Sequence, residues 1–394
     1  MKKKKTLLFV NGHLNVGGVE KALVDLLAWI DYDSYDVDLL LLQGRGDYES
    51  RVPKQVRIIE FDTRLLEGPF KVVLFENIKS FHIGIIVYRG IQIIANCLGR
   101  RFLILLSLLL PIRSHYHTAV SFRNNHCAEV VAYAVKSKRK FCWWHHGELT
   151  LSDIQAHSLQ SLWKSFDGIV TVSKGCRELL AKSFGLNPKK ISVIPNLIDV
   201  DFIHFLAGGQ SPYNTSAERK IFVSLSRFSP EKHIENAILA ADYLVKNCYR
   251  DFIWYIIGEG ECSPYVRSLI ESKGLHDYVV LTGKIVNPYP FLKFADIFVH
   301  PSYVESQGIA ILEAMSLSIP VVVTSSIGPE SFIINGQNGI LVDKGVKALA
   351  DGICVVLGMD QTQLEYVVEE GKRTVLNSFS PQVVMSLFNN LLNG

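Results

Sequence analysis

Paired cysteines, long apolar runs and an excess of one charge are all missing from this chain of 394 residues. Its seven cysteines are odd in number and scattered, with no Cys-x-x-Cys pair and no histidine at the spacing of a zinc ligand. These absences argue against a disulfide framework and a structural metal site. The cysteine usage is instead typical of a protein in the reducing cytoplasm.

Neither sign of charge is in large excess, since the chain has 41 basic and 38 acidic residues and a formal net charge of +3. Binding to a nucleic-acid backbone needs a concentrated excess of lysine and arginine, so no nucleic-acid partner is expected. The only basic run, residues 2–5, fits either a solvated N-terminus or attraction to anionic lipid. The apolar stretch after it, residues 7–10, is too short to predict a signal peptide.

The longest apolar run, residues 102–110, ends at Pro111. A membrane-spanning helix needs about 20 apolar residues, so the sequence predicts none. Because the run is apolar on all sides, it fits either a buried core helix or a helix that lies in a membrane surface.

The chain does contain a regular alternation of buried-strand and helical patterns, in two series. The predicted strands are residues 6–10, 37–42, 56–61, 118–122, 140–144, 168–172 and 191–194, followed by 221–225, 254–257, 279–282, 297–300 and 321–324. Such alternation predicts parallel sheets covered by helices. We therefore predict an α/β fold of two doubly wound, Rossmann-like domains that face each other across a cleft, where ligands commonly bind.

The boundary between the two domains is marked by turn-rich sequence near residue 200, since residues 207–216 are polar and typical of a linker. We predict a first domain over residues 1–200 and a second over residues 201–378. Residues 379–394 form a predicted amphipathic helix with Ser380 as its N-cap, and we expect this helix to pack back on the first domain.

Residues 300–315 are the most informative stretch. Glu305 and Glu313 lie eight residues apart, with Gly308 between them at a predicted strand-to-helix junction. A helix that opens there presents free backbone N–H groups and the positive end of its dipole to an anion. One carboxylate could then accept hydrogen bonds from sugar hydroxyls and the other from a ribose, although solvated glutamates would give the same pattern.

Two cations follow the first strand of the second domain. Arg227 and Lys232 lie directly after this predicted strand, at the sheet edge where a diphosphate is expected. There they could neutralise a leaving nucleoside diphosphate, the arginine through bidentate contacts and the lysine as a point charge. The alternative interpretation is that Arg227 and Lys232 are surface charges without a function.

In the first domain, two short motifs lie at predicted strand ends. Gly17 and Gly18 would let backbone approach a ligand at a helix start, although such a pair often marks only a turn. His145 and His146 follow a strand, where an imidazole could bond a sugar hydroxyl.

The order and spacing of these motifs resemble the retaining glycosyltransferases of family 4, which have the GT-B fold. The likeness covers nearly the whole chain, and the Glu-x7-Glu set is its most specific part. The matching segments are Gly17-Gly18-Val-Glu, Trp-x-His-Gly-Glu at 144–148, Asp-Gly-Ile-Val-Thr-Val-Ser at 167–173, Val-Ile-Pro-Asn-Leu-Ile-Asp at 193–199, Ser-Arg-Phe-Ser-Pro-Glu-Lys at 226–232, Gly-Glu-Gly at 258–260, Glu305 to Glu313 and Asn-Gly-Ile-Leu-Val at 338–342.

The resemblance implies a metal-independent, retaining transferase that uses a nucleotide-sugar donor as co-substrate and needs no other cofactor. The second domain would hold the donor and the first domain most of the acceptor site. By this likeness Arg227 and Lys232 bind the diphosphate, and Glu313 binds the ribose.

The remaining site positions carried over from the family concern the donor sugar and the phosphates. Glu305, with the backbone of Gly308 and Ile309, would bind the donor sugar. His146 would contact this sugar from the opposite domain, and the Gly17-Gly18 pair would approach the phosphates. Whether the base is uracil, guanine or thymine stays open.

Two positions depart from the family pattern. Gln307 stands where an apolar residue is common and could alter which sugar hydroxyls are bound, and His117 stands where an aspartate is common. The segment from about residue 81 to residue 113 matches no family motif. Within it, residues 83–113 combine apolar side chains with arginines, which fits either contact with an anionic membrane leaflet or a buried helical pair in the first-domain core. If the segment contacts the membrane, the resemblance implies a lipid-linked saccharide acceptor at the cytoplasmic face.

Three other functions compete with this interpretation. A GT-A enzyme would need a metal-binding Asp-x-Asp, but the pairs that begin at Asp31, Asp36 and Asp199 lie outside a suitable nucleotide-binding unit. A nucleotide-sugar epimerase could have the same two-domain architecture. A catalytically silent partner of an active transferase is the third alternative.

Overall fold

The computed structural model describes residues 4–61, 63, 83–124, 126–148, 152–213 and 219–394. Part of the lysine run at residues 2–5 and the beginning of the unmatched segment at residue 81 lie outside the described residues.

Two parallel sheets organise the described chain. The first has the strand order β3-β2-β1-β4-β5-β6-β7 and the second β10-β9-β8-β11-β12-β13. The strands are β1 Lys5–Asn11, β2 Tyr35–Leu41, β3 Arg57–Glu60, β4 Tyr116–Ser121, β5 Ser137–Trp144, β6 Gly168–Thr171, β7 Ile191–Val193, β8 Lys220–Leu225, β9 Phe252–Ile257, β10 Val279–Gly283, β11 Ile297–His300, β12 Val321–Thr324 and β13 Ile340–Val342.

Helices cover both faces of each sheet. The α-helices are α1 Gly18–Ala28, α2 Ile83–Leu98, α3 His126–Glu129, α4 Asp153–Trp163, α5 Lys174–Phe184, α6 Val200–Leu206, α7 Ile234–Asn247, α8 Ser263–Lys273, α9 Tyr289–Lys293, α10 Ile309–Ser316, α11 Val346–Leu357, α12 Gln361–Phe379 and α13 Pro381–Asn393. The 3-10 helices are Glu49–Arg51, Arg100–Leu108, Pro188–Lys190, Pro230–Lys232 and Pro329–Ser331, and Val130–Ala134 is a π-helix.

The central strands have the continuous apolar sequence that burial on both faces requires. Leu7, Leu8, Phe9 and Val10 of β1 are fully buried, and β1 pairs in parallel with β2 and β4. Successive side chains of a strand point to opposite faces of the sheet, and here they pack against the helix layer on each face of the first domain. The predicted α/β class with two Rossmann-like sheets is confirmed, and in such sheets ligand sites lie at the carboxyl ends of the strands.

The chain passes between the two sheets at two places that touch each other. The first follows β7, and the second joins α12 to α13. The backbone N–H of Ile198 in the first passage donates to the carbonyl of Phe379 in the second, at 2.8 Å. Beyond it, α13 packs on the first domain, where the Phe388 ring centre lies 6.2 Å from that of Phe9 and 6.1 Å from that of Trp143.

The apolar segment at 83–113 has two different faces. Tyr88, Leu103 and Leu106 are fully buried in the first-domain core. On the other face Leu98, Ile104 and Leu108 are exposed by 64%, 53% and 81%. The buried side chains agree with the core interpretation of residues 102–110, and the membrane-surface interpretation stays a prediction. In the described chain, every helix is too short or too polar to cross a bilayer.

Candidate active site

The two domains meet closely along a cleft at the carboxyl ends of both sheets. A Cβ atom on Gly147 would lie 2.6 Å from the Glu305 carbonyl oxygen, and one on Gly18 would lie 3.8 Å from Cδ1 of Ile309. The Cys176 thiol lies 3.5 Å from the carbonyl oxygens of His146 and Ser306, one on each side of the cleft. Glycine at 147 is therefore required for the walls to approach this closely.

Glu305, which follows β11, lies in a cluster of charged groups from its own domain. Its Oε1 accepts hydrogen bonds from Lys232 Nζ and from His300 Nε2, each at 2.7 Å. Burial alone would raise the pKa of Glu305, but the charge of Lys232 and the hydrogen bond from His300 lower it well below its ordinary value. Glu305 is therefore a fixed anion at neutral pH.

His300 is a site residue that the sequence reasoning missed. It is the last residue of β11 and is buried, with Nε2 on Glu305 and with Nδ1 lacking a partner in the described chain. Its position at a strand end, five residues before Glu305, was the available signal.

The two predicted cations occupy different environments. Lys232 ends a 3-10 helix, Pro230–Lys232, and reaches Glu305. The Arg227 side chain is 70% exposed and lies 3.5 Å from Glu231. The structure therefore brings Lys232 to Glu305 and leaves Arg227 in solvent beside Glu231.

Two helix N-termini converge in the cleft. Gly308 adopts the left-handed conformation with φ of 85° and precedes α10, and Gly17 precedes α1 of the first domain. The first-turn N–H groups of a helix have no carbonyl partner inside the helix, and the dipole makes this end positive. The contact between Gly18 and Ile309 places these two ends together, which is favourable for an anion such as a diphosphate.

Glu313 is buried with only 3% exposure, on the first turns of α10. Its Oε1 accepts a hydrogen bond from the Tyr289 hydroxyl at 2.8 Å. The ammonium of Lys21, from α1 of the opposite domain, lies 3.1 Å from the same oxygen and 2.6 Å from Asp25. Burial alone would lower the pKa of Lys21, but Asp25, Tyr289 and Glu313 raise it well above its ordinary value, so Lys21 is charged.

Lys21 and Tyr289 were also missed by the sequence reasoning. Lys21 directly follows the Gly17-Gly18-Val-Glu motif, but nothing in the sequence indicates that it crosses the cleft. Tyr289 lies in α9, outside every motif that was singled out.

The first-domain wall carries the two histidines at the end of β5. His146 is partly accessible at the cleft. Desolvation of its ring by the surrounding protein, together with the charge of Arg123, lowers its pKa. His145 packs on Phe122 with ring centres 4.8 Å apart. Burial, together with His146 and Arg123, lowers the pKa of His145 to about 3. Both imidazoles are therefore neutral at pH 7, and Arg123, which is ion-paired with Glu20, is an additional cation near them.

The expectation that Gln307 selects sugar hydroxyls is wrong. Gln307 is buried, its Oε1 accepts from the Asn196 backbone N–H at 2.7 Å, and its Nε2 donates to the Asn196 carbonyl at 2.9 Å. Both polar atoms of the amide are hydrogen-bonded to the segment that connects the two domains, so Gln307 has a structural role.

The carboxylates of the Asp36-x-Asp38 pair are engaged by cations. Asp38 is fully buried and accepts hydrogen bonds from Arg57 at 2.5 Å, from Arg113 at 3.0 Å and from the Tyr116 hydroxyl at 2.6 Å. Arg113 also lies 3.6 Å from Asp36. These contacts explain the burial of Asp38 in the sheet without a metal.

Two family profiles match the chain, one on each domain. The profile described as Glycosyltransferase Family 4 matches residues 16–202, and the one described as Glycosyl transferases group 1 matches residues 210–374. The chain belongs to this family of glycosyltransferases. The predicted membership in glycosyltransferase family 4 is thereby confirmed.

Curated relatives of this glycosyltransferase align over part of its length. Poly(ribitol-phosphate) alpha-N-acetylglucosaminyltransferase of Staphylococcus aureus is 29% identical over 208 residues, or 51% of this chain and 41% of the relative. UDP-Gal:alpha-D-GlcNAc-diphosphoundecaprenol alpha-1,3-galactosyltransferase of Escherichia coli is 28% identical over 173 residues, or 42% of this chain and 45% of the relative. The chain thus spans less than half the length of either relative.

Among solved structures, Anabaena HepE in complex with UDP and glucose matches with a TM-score of 0.73 and 18% identity, over 98% of this chain and 99% of HepE. This likeness concerns the fold, and it confirms the predicted GT-B architecture.

Proposed function

We propose that this glycosyltransferase moves a sugar from a nucleotide-sugar donor to a lipid-linked saccharide acceptor, with retention of configuration and without a metal, in cell-surface polysaccharide assembly. The observation that carries the proposal is the convergence of two helix N-termini, α1 and α10, beside Lys232 and Glu305. This arrangement fits a sugar diphosphate between the domains.

The geometry supports a set of proposed donor contacts. The diphosphate accepts hydrogen bonds from the first-turn N–H groups at Gly18 and Ile309, with Lys232 and Arg227 at its margin. These groups neutralise the leaving diphosphate, which is the task that a metal performs elsewhere. The Glu313 carboxylate accepts hydrogen bonds from the ribose.

The donor sugar lies between Glu305 and His146. Glu305 is a weak nucleophile because Lys232 and His300 hold its charge on Oε1. A mechanism in which the acceptor attacks from the face that the diphosphate leaves needs no protein nucleophile, and it retains configuration. The two relatives whose names specify alpha linkages support this choice.

The acceptor side is proposed to lie at a membrane. The exposed side chains of Leu98, Ile104 and Leu108 form an apolar surface beside the exposed Arg100 and Arg101. Apolar side chains flanked by arginines suit the headgroup region of an anionic leaflet, where each cation contributes about 1 kcal/mol. The name of the Escherichia coli relative specifies a diphosphoundecaprenol acceptor, which supports the same chemistry.

The test of the transfer begins with a thermal-shift panel of UDP-, GDP- and dTDP-sugars, followed by transfer of the stabilising donor to diphosphoundecaprenol-linked saccharides. NMR of the product reads the anomeric configuration. We expect transfer in EDTA and an anomer that matches the donor. Donor binding without hydrolysis or transfer to any acceptor would favour a silent partner, and inversion would overturn the mechanism.

The membrane contact has its own test, which is co-sedimentation with liposomes that contain phosphatidylglycerol. We expect binding that weakens with salt and is lost when Leu98, Ile104 and Leu108 are replaced by serine. Serine at the buried positions Leu103 and Leu106 would instead unfold the domain, so the exposed positions are the informative ones. Equal recovery of the wild type with and without liposomes would indicate an acceptor in solution.

A further inference from the structure

A buried chain of alternating charges crosses the cleft beneath the proposed ribose site. Arg51 NH2 lies 2.5 Å from Asp25 Oδ1, and Asp25 Oδ2 lies 2.6 Å from Lys21 Nζ. Lys21 Nζ lies 3.1 Å from Glu313 Oε1, which also accepts the Tyr289 hydroxyl. The first three residues belong to the first domain and the last two to the second. Two positive and two negative side chains are thus balanced inside the interface.

Two groups from different domains hold the same oxygen of Glu313. Tyr289 lies in the same domain as Glu313, so this hydrogen bond does not depend on how the domains sit. Lys21 lies on α1, one turn after Gly18, and reaches Glu313 only because α1 and α10 are in contact. The hydrogen bond from Tyr289 and the ion pair with Lys21 both involve Oε1 of Glu313, and the proposal assigns the ligand hydroxyls to Oε2.

The Lys21 side chain is itself held in place. Asp25 lies one turn later on α1 and fixes the ammonium, and Arg51 balances the second oxygen of Asp25. The exposed fractions of the Lys21 and Asp25 side chains are only 11% and 8%. A lysine on a solvated surface would be free to rotate, whereas this one has a single orientation, toward Glu313.

We propose that Lys21 is a positioning residue that orients the Glu313 carboxylate for the ribose hydroxyls of the donor and makes ribose recognition depend on contact between the two domains. This inference rests on the proposed function, in which Glu313 binds the ribose. Lys21 acts through Glu313, so its loss weakens the discrimination between a ribose and a sugar without hydroxyls. A residue that only stabilised the fold would weaken both ligands equally.

Isothermal titration calorimetry tests the proposal with UDP and GDP and their 2′,3′-dideoxy counterparts, using the base that the wild type binds more tightly. We expect the wild type to favour the ribonucleotide by about tenfold or more, because buried acceptors reject a ligand that lacks the hydroxyls. Lys21→Met should reduce this ratio to about threefold or less, as should Glu313→Gln. The double variant should show no further reduction, since both changes remove one interaction.

Lys284→Met is the matched control. Lys284 also pairs across the cleft, at 3.0 Å from Asp47, but this pair is exposed and does not touch Glu313. The control should keep the wild-type ratio. Thermal unfolding checks each variant, and Lys21→Gln replaces Lys21→Met if the methionine variant does not fold.

The two possible failures are distinguishable. The role of Lys21 is overturned if its variants keep the wild-type affinity ratio, or if they lose affinity for both nucleotides equally, while Glu313→Gln loses the ratio. The ribose site then remains intact. A wild-type ratio in Glu313→Gln overturns the ribose site itself and the inference with it, as does a wild type that binds the ribonucleotide no more tightly than its dideoxy counterpart.

Discussion

The two glutamates of the Glu-x7-Glu set differ in where their partners come from. Glu305 is held by Lys232 and His300, which both belong to its own domain. Glu313 is held by Tyr289 from its own domain and by Lys21 from the opposite one. The carboxylate of Glu305 is therefore held within one domain, whereas that of Glu313 also depends on the opposite domain.

This difference indicates an order of events in the proposed reaction. The group that faces the reacting sugar is preorganised before a ligand arrives, which is the arrangement that favours electrostatic stabilisation of a transition state. The contacts of the group that faces the ribose are completed by the opposite domain, so nucleotide binding and contact between the domains stabilise each other. Changes at Glu305 should accordingly affect turnover, and changes at Glu313 should affect nucleotide binding.

The largest effect is expected from Glu305→Gln, which removes the charge but keeps the size of the side chain. Turnover should fall by about 10²–10³-fold, the cost of losing one preorganised group, while nucleotide affinity changes much less. Initial rates and calorimetry with the same donor measure the two quantities. Glu370→Gln, at an ion pair 2.9 Å from Arg373 on α12, is the control and should retain wild-type turnover. Wild-type kinetics in Glu305→Gln would remove it from the site.

The two cations provide the next comparison. Lys232→Met should reduce kcat/KM more than Arg227→Met, because Lys232 is enclosed beside Glu305 whereas Arg227 is 70% exposed and its charge is screened by solvent. The double variant should lose about 3–4 kcal/mol of transition-state stabilisation. Activity measured in EDTA is the companion experiment. Loss of activity in the chelator that manganese or magnesium restores would contradict the metal-free mechanism.

Continuous apolar runs made most of the fold predictable. Residues 6–10 fall inside β1, and the alternation of strands and helices was sufficient to predict two parallel sheets. β13, Ile340–Val342, was not predicted as a strand, although its sequence belongs to a recognised motif. Three residues are too few to show a period, so only pairing with β12 defines it as a strand.

The site was predictable where residues share one sheet edge. Glu305 and Lys232 were each expected after a strand of the second domain, and because the strands of this sheet are parallel their carboxyl ends bring the two residues into contact. Lys21 was not predicted because its contact with Glu313 depends on how two separate sheets approach each other. Gln307 was misassigned because a motif gives the position of a residue but not the direction of its side chain.

Gln307 lies between Glu305 and α10 and is hydrogen-bonded to the segment that connects the two domains. Gln307→Ala should therefore affect stability. Removing the amide leaves the buried N–H and carbonyl of Asn196 without partners, which should lower the free energy of unfolding by about 2–3 kcal/mol. Urea unfolding measures this difference. Gln361→Ala, at an exposed position on α12, should change stability by less than about 0.5 kcal/mol. A changed preference among donor sugars with unchanged stability would restore the sugar-binding interpretation of Gln307.

The smallest expected effect concerns His145, whose environment lies in the first domain and does not involve Glu305 or Glu313. Its pKa is lowered to about 3 in the folded protein, mainly by burial and further by His146 and Arg123. The unfolded chain binds a proton at this residue near pH 6.5, so His145 reduces stability as the pH falls from about 6.5 toward 3. At pH 5 the reduction should reach at most about 2 kcal/mol, since each pKa unit corresponds to about 1.4 kcal/mol.

His145→Gln removes this titration, and the loss of stability between pH 7.5 and pH 5 should therefore be smaller in the variant than in the wild type. Urea unfolding at both pH values measures it, and His157→Gln, at an exposed position on α4, should behave as the wild type does. Parallel pH profiles for the wild type and His145→Gln would mean that folding does not lower the pKa of His145. The burial of an uncharged imidazole at pH 5 would then be excluded.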